Sequence, residues 1–341
     1  MLPWRVEREL DRICNVFNYY KNNLRATHDA EISFYCGFHG RTGGPAAISQ
    51  IARILSKRYR VEFVSHPTSE YNSILAKSIN IVSKPSASSQ LMIFDVTAGK
   101  EIISNAKKSG KQTLVTCHGF PNTLHGLLES EVRSALDSAN HIHFVSQSQQ
   151  DEFKIPEGKY FIIKNTHQQM IKTRFGNNAG IIGGIDNQAK NLPRSLEIAS
   201  ASDASKVHVW GSDADNRWPT AVFHPWTNNK HNIYNSIDVL ISMSRNETFG
   251  MIVSEALSAG VPCLLSDIPA FRSFSECESV RVVAPDDTET AVQCLNALLE
   301  NKKTLRNIAI KYWQDNLSES VVEQLWFSKI KELLCDDATN R

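Results

Sequence analysis

Residues 244–256 read Ser244-Arg245-Asn246-Glu247-Thr248-Phe249-Gly250-Met251-Ile252-Val253-Ser254-Glu255-Ala256. An apolar run at 238–243 comes before them and is long enough for one buried strand. After Glu247 the apolar residues recur at three- and four-residue spacing, as on one face of a helix. Gly260 and Pro262 then end that helix, and a further apolar run starts the next strand. These residues therefore predict a strand, a loop, a helix and a second strand.

Two carboxylates are placed within this unit, with Glu247 in the loop and Glu255 in the helix. From Gly250 to Glu255 the axial rise is about 7.5 Å at 1.5 Å per residue. The amides of Phe249, Gly250 and Met251 lie between the two carboxylates at the positive end of the helix. Such an arrangement suits a sugar nucleotide, with sugar hydroxyls at Glu247, the diphosphate at the amides and ribose hydroxyls at Glu255. An ordinary βαβ turn with two solvated glutamates is the alternative that spacing alone leaves open.

The frame from Glu247 to Glu255, followed by Gly260 and Pro262, resembles the Glu-x7-Glu donor-site motif of the retaining family-4 glycosyltransferases. That resemblance implies the GT-B fold, an α/β architecture of two doubly wound, Rossmann-like domains facing a cleft. The implied domains are an acceptor-side domain at 1–165 with an N-terminal helix at 4–26, a nucleotide-sugar domain at 166–316, and a C-terminal helix at 317–341 that crosses back to domain one.

Length and composition agree with a two-domain globular protein. The chain has 341 residues, of which 41% are hydrophobic and 21% charged. A formal net charge of +1 gives no argument for nucleic acid, so none is expected as a partner. Residues 1–165 are mildly basic, which suits a phosphorylated acceptor or peripheral contact with an anionic membrane through domain one.

Cysteine usage and the N-terminus predict a cytoplasmic protein. The seven cysteines are scattered without a CxxC pair, and three of them, Cys36, Cys117 and Cys263, lie inside apolar runs. A reducing compartment follows from this pattern. Charged residues crowd the first dozen positions, so no secretory signal is expected. Any membrane association is expected to be peripheral, at the inner face.

The first half alternates short apolar runs with helical segments. Strands are predicted at 31–38, 61–65, 91–94, 113–117, 142–145 and 161–163. Helices are predicted up to residue 55, at 99–109 and at 126–139. Such alternation predicts a parallel, doubly wound sheet, which binds ligands beyond the carboxyl ends of its strands. His118 follows such a strand, and the resemblance implies that it borders the transferred sugar and the acceptor.

A glycine-rich loop follows the first strand and offers a second interpretation. Its Gly37-x2-Gly40-x2-Gly43 spacing matches that of NAD-dependent short-chain dehydrogenases and epimerases. Those enzymes need an acidic residue after strand two and a helical Tyr-x3-Lys pair. Here the Tyr160 and Lys164 pair brackets a strand-like segment instead. The resemblance assigns Gly43 and Gly44 to positions that face donor and acceptor.

The second domain is predicted to begin with a strand at 180–185, followed by a loop that contains Lys190. In the resembled family this region supplies an arginine and a lysine that hold the diphosphate. Lys190 fits the lysine, whereas Gly184 occupies the arginine position. Either another residue replaces that cation, with Arg194 the nearest candidate, or donor binding differs.

The rest of this domain continues the alternation, with strands at 206–210, 222–226, 263–265 and 280–283 and helices at 193–202 and 230–237. Two helices are predicted at the end of the chain, 289–314 with an internal break and 318–334. After strand 206–210 comes Asp213-Ala214-Asp215, a DxD sequence that in GT-A glycosyltransferases binds a divalent metal. A metal-dependent GT-A enzyme is therefore a further alternative, although no set of residues has metal-ligand spacing.

The sequence is thus interpreted as a retaining glycosyltransferase that moves a sugar from a nucleotide diphosphate sugar to a glycan or lipid-linked acceptor, in surface polysaccharide or glycoconjugate synthesis. No metal or other cofactor is expected, since retaining enzymes of this kind are thought to use the leaving phosphate as base. A non-catalytic sugar-nucleotide-binding homologue is the remaining alternative. The predicted catalytic residues are Glu247, His118 and Lys190. The predicted donor-binding residues are Glu255, Phe249, Gly250, Met251, Gly43, Gly44 and Gly184.

Overall fold

A computed structural model describes residues 29–36, 43–65, 75, 79–120, 127–213, 217–227 and 229–339. The predicted helix at 4–26, most of the glycine loop and Asp215 lie outside these ranges. The chain divides into two compact units, residues 1–164 with 323–341, and residues 165–322.

The first unit contains a parallel sheet with the strand order β3-β2-β1-β4-β5-β6-β7. Its strands are β1 (Ile32–Tyr35), β2 (Val61–Val64), β3 (Asn80–Val82), β4 (Leu91–Asp95), β5 (Gln112–Cys117), β6 (His141–Phe144) and β7 (Tyr160–Ile162). Most strand residues are buried, as expected for a sheet covered on both faces. The chain runs from β1 outwards to β3 and then returns to the other side of β1 at β4.

The strands of this unit alternate with the α-helices α1 (Gly43–Leu55), α2 (Lys100–Lys108), α3 (Glu129–Ser138) and α4 (Gln147–Phe153). In α3 the buried residues Val132, Ala135 and Leu136 recur at helical spacing, which explains its packing on the sheet. Helix α4 was not predicted, because its sequence has one apolar residue, Phe153. Its N-cap is Ser146, whose hydroxyl accepts a hydrogen bond from the amide of Gln149.

The second unit contains a parallel sheet with the order β10-β9-β8-β11-β12-β13. Its strands are β8 (Asn178–Ile182), β9 (Lys206–Trp210), β10 (Ala221–His224), β11 (Val239–Ser242), β12 (Cys263–Ser266) and β13 (Val280–Val283). After β10 the chain returns to pair β11 with the other side of β8. The strand order therefore reverses between the neighbouring strands β8 and β11. Ligands bind at this switch point in sheets of this kind.

The helices of this unit are α5 (Leu192–Ser200), α6 (Lys230–Ser236), α7 (Met251–Ser258), α8 (Pro269–Arg272) and α9 (Thr288–Asn316). The prediction of a break within α9 was wrong. A polar run at 300–304 interrupts the apolar pattern there, but it contains neither glycine nor proline. Leu299, Leu305 and Ala309 stay buried on either side of that run, so one continuous helix packs on the sheet.

The last helix, α10 (Glu319–Thr339), belongs to the first unit from Glu323 onwards. Its buried face consists of Val322, Trp326, Ile330 and Leu333. Leu325 in the same helix is exposed, whereas its neighbour Trp326 is buried. Trp326 explains the difference, because its ring packs edge-on against His143 at a centroid distance of 4.7 Å.

Candidate functional site

Two loops leave the switch point of the second sheet and carry the central residues of the candidate site. One loop follows β8 and contains Lys190, and the other follows β11 and contains Glu247. A backbone hydrogen bond of 2.8 Å from the amide of Arg245 to the carbonyl of Ala189 joins the two loops. Their pairing fixes Lys190 and Glu247 beside each other.

Lys190 and Glu247 form an ion pair in which Nζ lies 2.5 Å from Oε1. The same carboxylate oxygen accepts a hydrogen bond of 3.1 Å from the hydroxyl of Ser244. Both side chains are partly accessible, Lys190 more so than Glu247. The pair therefore presents a cation and a carboxylate together at the point where ligands enter such sheets.

Helix α7 begins at a glycine that no other residue could replace without strain. Gly250 has a φ of +94°, in the left-handed region, and a Cβ there would lie 2.9 Å from the ring of Phe271. The amides of Met251 and Ile252 follow in the first turn, where no intrahelical acceptor exists. Phe249 is buried and its ring packs near that of Phe274, so only its backbone is left to face a ligand.

Glu255 lies in α7 and is buried, with 4% of its surface exposed. Its Oε2 accepts a hydrogen bond of 2.8 Å from the hydroxyl of Tyr234, and its Oε1 is paired with the Nζ of Lys230. The sequence analysis missed both partners. A signal was present, because Lys230 and Tyr234 are four residues apart in the predicted helix 230–237 and so share one face.

The position that lacks an arginine is sterically open. Gly184 is outside the left-handed region, and a Cβ there would meet only the carbonyl of Gly211, at 3.9 Å. Arg194 does not replace the missing cation, since its Nε donates to the carbonyl of Pro285 and its Nη2 to Thr288. The guanidinium of Arg194 instead anchors the start of α9.

His118 belongs to the first unit and follows β5. Both of its ring nitrogens are buried, and burial, together with the nearby His143, lowers the pKa of His118 to about 3. The turn that carries it is held by Gln149, whose amide donates to the carbonyls of Cys117 and Gly119 at 3.0 and 2.9 Å. His118 is therefore a neutral ring in a fixed turn.

The predicted site residues are divided between the two units. Lys190, Glu247 and Glu255 lie in the second unit, as do Gly184 and the start of α7. His118 lies in the first unit, where Gly43 and Gly44 form the first turn of α1.

Metal and dehydrogenase sites find no support in the described ranges. Within them, no group of three or more His, Cys, Asp or Glu residues is placed to hold a metal ion. Asp213 is exposed, and its DxD partner Asp215 falls outside the description. Tyr160 begins strand β7, so it cannot form a helical pair with Lys164. No described helix is both long enough and apolar enough to cross a membrane.

Several solved structures share this fold at low sequence identity. HepE of Anabaena, solved in complex with UDP, has a TM-score of 0.73 and 12% identity over 89% of this chain and 100% of its own. Sucrose-phosphate synthase from Thermosynechococcus elongatus has a TM-score of 0.71 and 12% identity over 90% and 100%. The lipopolysaccharide outer core galactosyltransferase WaaB has a TM-score of 0.65 and 15% identity over 87% and 99%.

At the level of sequence, no curated protein matches the chain. The likeness confirms the predicted fold class, two Rossmann-like domains with parallel sheets, which is not the GT-A fold of one of the alternatives. The chain has the GT-B fold, and its residues 218–314 match the family described as Glycosyl transferases group 1.

Proposed function

We propose that this protein is a retaining glycosyltransferase that uses a nucleotide diphosphate sugar as donor. The observation that carries the proposal is the Lys190–Glu247 pair at the switch point of the second sheet, next to the amino end of α7. The match of residues 218–314 to Glycosyl transferases group 1 covers the loop of Glu247 and the whole of that helix.

The donor is proposed to lie along the loop of Glu247 and helix α7, with its sugar towards Glu247 and its ribose towards Glu255. Glu247 accepts hydrogen bonds from sugar hydroxyls, and Lys190 meets the diphosphate together with the first-turn amides of α7. Glu255 accepts hydrogen bonds from the ribose. Complexes of HepE with UDP and with UDP-glucose support UDP-glucose as the first donor to test.

Lys190 is proposed to stabilise the leaving diphosphate, on which negative charge grows as the glycosidic bond breaks. Before the donor binds, the ammonium of Lys190 neutralises the charge of Glu247. The leaving phosphate then takes the proton of the acceptor hydroxyl, so no side-chain nucleophile is required. Lys190 and the helix amides supply the charge neutralisation, and the proposal needs no metal or other cofactor.

His118 is proposed to border the transferred sugar and the acceptor. Because its pKa is lowered to about 3, the ring is neutral near pH 7. The acceptor is proposed to be a glycan or a lipid-linked glycan, as in surface polysaccharide or glycoconjugate synthesis. Peripheral membrane contact through the first unit and a cytoplasmic location belong to the same proposal.

The test is activity with a panel of UDP-, GDP- and ADP-sugars, each offered with and without simple glycan acceptors. We expect one nucleotide class to be consumed, and the anomeric configuration of the product, read by NMR, to equal that of the donor. Glu247→Gln should lose turnover but stay folded. Binding of a nucleotide sugar without turnover under any condition would favour the non-catalytic homologue instead.

A further inference from the structure

We infer that Lys230 and Tyr234 are positioning residues, which hold Glu255 ready for the ribose and thereby set discrimination between ribo- and 2′-deoxyribonucleotides. The inference rests on the proposed function, in which Glu255 binds the ribose. It goes further by naming two residues of α6 that decide how that carboxylate is presented.

The first step is the cost of burying Glu255. Its side chain is 6% exposed, and an ionised carboxylate at such a place is unfavourable unless it is paired and hydrogen-bonded. The ammonium of Lys230 and the hydroxyl of Tyr234 provide both, one on each carboxylate oxygen. Each carboxylate oxygen therefore has a partner, and the two contacts fix the plane of the carboxylate.

The second step is the direction of the hydrogen bond from Tyr234. The residue is buried, and burial, followed by the charge of Glu255, raises its pKa well above the ordinary value. Its phenol therefore stays protonated and donates to Oε2 of Glu255 at 2.8 Å. Because the phenol of Tyr234 is the donor in this contact, the carboxylate of Glu255 is the acceptor.

The third step is that the carboxylate keeps capacity for a ligand. Each carboxylate oxygen can accept about two hydrogen bonds, and each has one donor among the residues that the structure describes. One further position per oxygen is left, which matches the two neighbouring hydroxyls of a ribose. A 2′-deoxyribose has one hydroxyl fewer and would leave one of those positions unfilled.

The fourth step is that helix α6 is itself anchored. Buried Lys172 donates to the carbonyls of Tyr234 and Ile237 at 3.1 and 2.6 Å, and its Nζ lies 3.3 Å from Asp238. The side chain of Asn235 accepts hydrogen bonds from the amides of Thr173 and Arg174. These contacts fix the end of α6, so Lys230 and Tyr234 are presented from a rigid support.

The experiment measures Kd by calorimetry for whichever of UDP, ADP and GDP binds most tightly, and for its 2′-deoxy form. Wild type should prefer the ribonucleotide by about tenfold to a hundredfold, the value of a charge-assisted hydrogen bond. Tyr234→Phe and Lys230→Met should lose most of that preference, mainly by weakening the ribonucleotide. Lys230→Arg should retain most of it, since a cation remains beside the carboxylate.

The matched control is Lys311→Met, which removes an exposed lysine from its pair with Asp315 and should change neither Kd. A purely structural role would lower the melting temperature and weaken both nucleotides equally, and this result would overturn the inference. Because 37% of the Lys230 side chain is exposed, Lys230→Met is expected to fold even if Tyr234→Phe does not.

The inference and the proposed function can fail separately. If no nucleotide binds to wild type, the proposed function fails and the inference fails with it. If wild type discriminates and Glu255→Gln does not, while both α6 variants still discriminate, the ribose role stands and only the inference is overturned.

Discussion

The Nζ of Lys190 lies 2.5 Å from Oε1 of Glu247, although the two residues are 57 positions apart in the sequence. Each leaves the carboxyl end of one of the two strands that flank the switch point. Their contact is therefore a product of the order of strands in the sheet. It places the group proposed for the diphosphate beside the group proposed for the sugar.

Lys190→Ala should lower kcat by about a hundredfold or more and also weaken donor binding, because the leaving charge grows towards the transition state. Lys190→Arg should recover part of kcat, since the charge is kept but the geometry differs. Steady-state kinetics with the preferred donor measures both. Lys303→Ala, at an exposed position of α9, is the control. An effect on the donor KM alone would show that Lys190 binds the ground state only.

Turnover should survive EDTA, because the proposed charge neutralisation comes from Lys190 and the amides of α7. The measurement compares initial rates after treatment with EDTA and after addition of Mg²⁺ or Mn²⁺. Complete loss on chelation with recovery in Mn²⁺ would contradict the proposal and direct attention to Asp213.

Gly250→Ala should destabilise the protein by about 1–3 kcal/mol, the typical cost of a strained backbone conformation. Its φ is +94°, and the added Cβ would lie 2.9 Å from the ring of Phe271. Gly184→Ala is the matched control, because a Cβ there meets nothing closer than 3.9 Å. Thermal melting of both variants checks this. Equal melting temperatures would mean that α7 can begin without a glycine.

The stability of the protein should fall as pH is lowered from 6.5, partly through His143. Burial lowers the pKa of His143 from 6.5 to about 4, so the unfolded chain takes up a proton there that the folded chain does not. Between these values the loss is up to about 1.4 kcal/mol per pH unit, and His118 acts in the same direction. His143→Gln should reduce the difference in melting temperature between pH 7 and 4.5. The exposed His231→Gln should not.

The sequence predicted the architecture well, because the signals for it are local. Apolar runs bounded by Gly260 and Pro262, and the alternation of strands with helices, depend on neighbouring residues alone. Strand β3 was missed because Asn80 leaves only two apolar residues in it, and α4 was missed because it has one apolar residue. Pairing with β2 stabilises β3, and the Ser146 cap stabilises α4, although the local sequence pattern indicates neither element.

The candidate site was predictable only in part, for a related reason. Glu247, Lys190 and Glu255 could be named from a motif, but the partners of Glu255 come from another helix. Tyr234 lies 21 positions before Glu255, and only the packing of α6 against α7 brings them within 2.8 Å. The same holds for Arg194, whose contacts with Pro285 and Thr288 span about 90 positions.

Gly184→Arg is the most direct test of the missing cation. An arginine at this position should not strain the backbone, because Gly184 is outside the left-handed region and its surroundings are open. Arginine suits a diphosphate, since its planar guanidinium can donate two parallel hydrogen bonds. We therefore expect an unchanged melting temperature and a donor Kd lowered by about tenfold, with Gly184→Gln as the uncharged control. A melting temperature and a Kd both equal to wild type would place the diphosphate away from this loop.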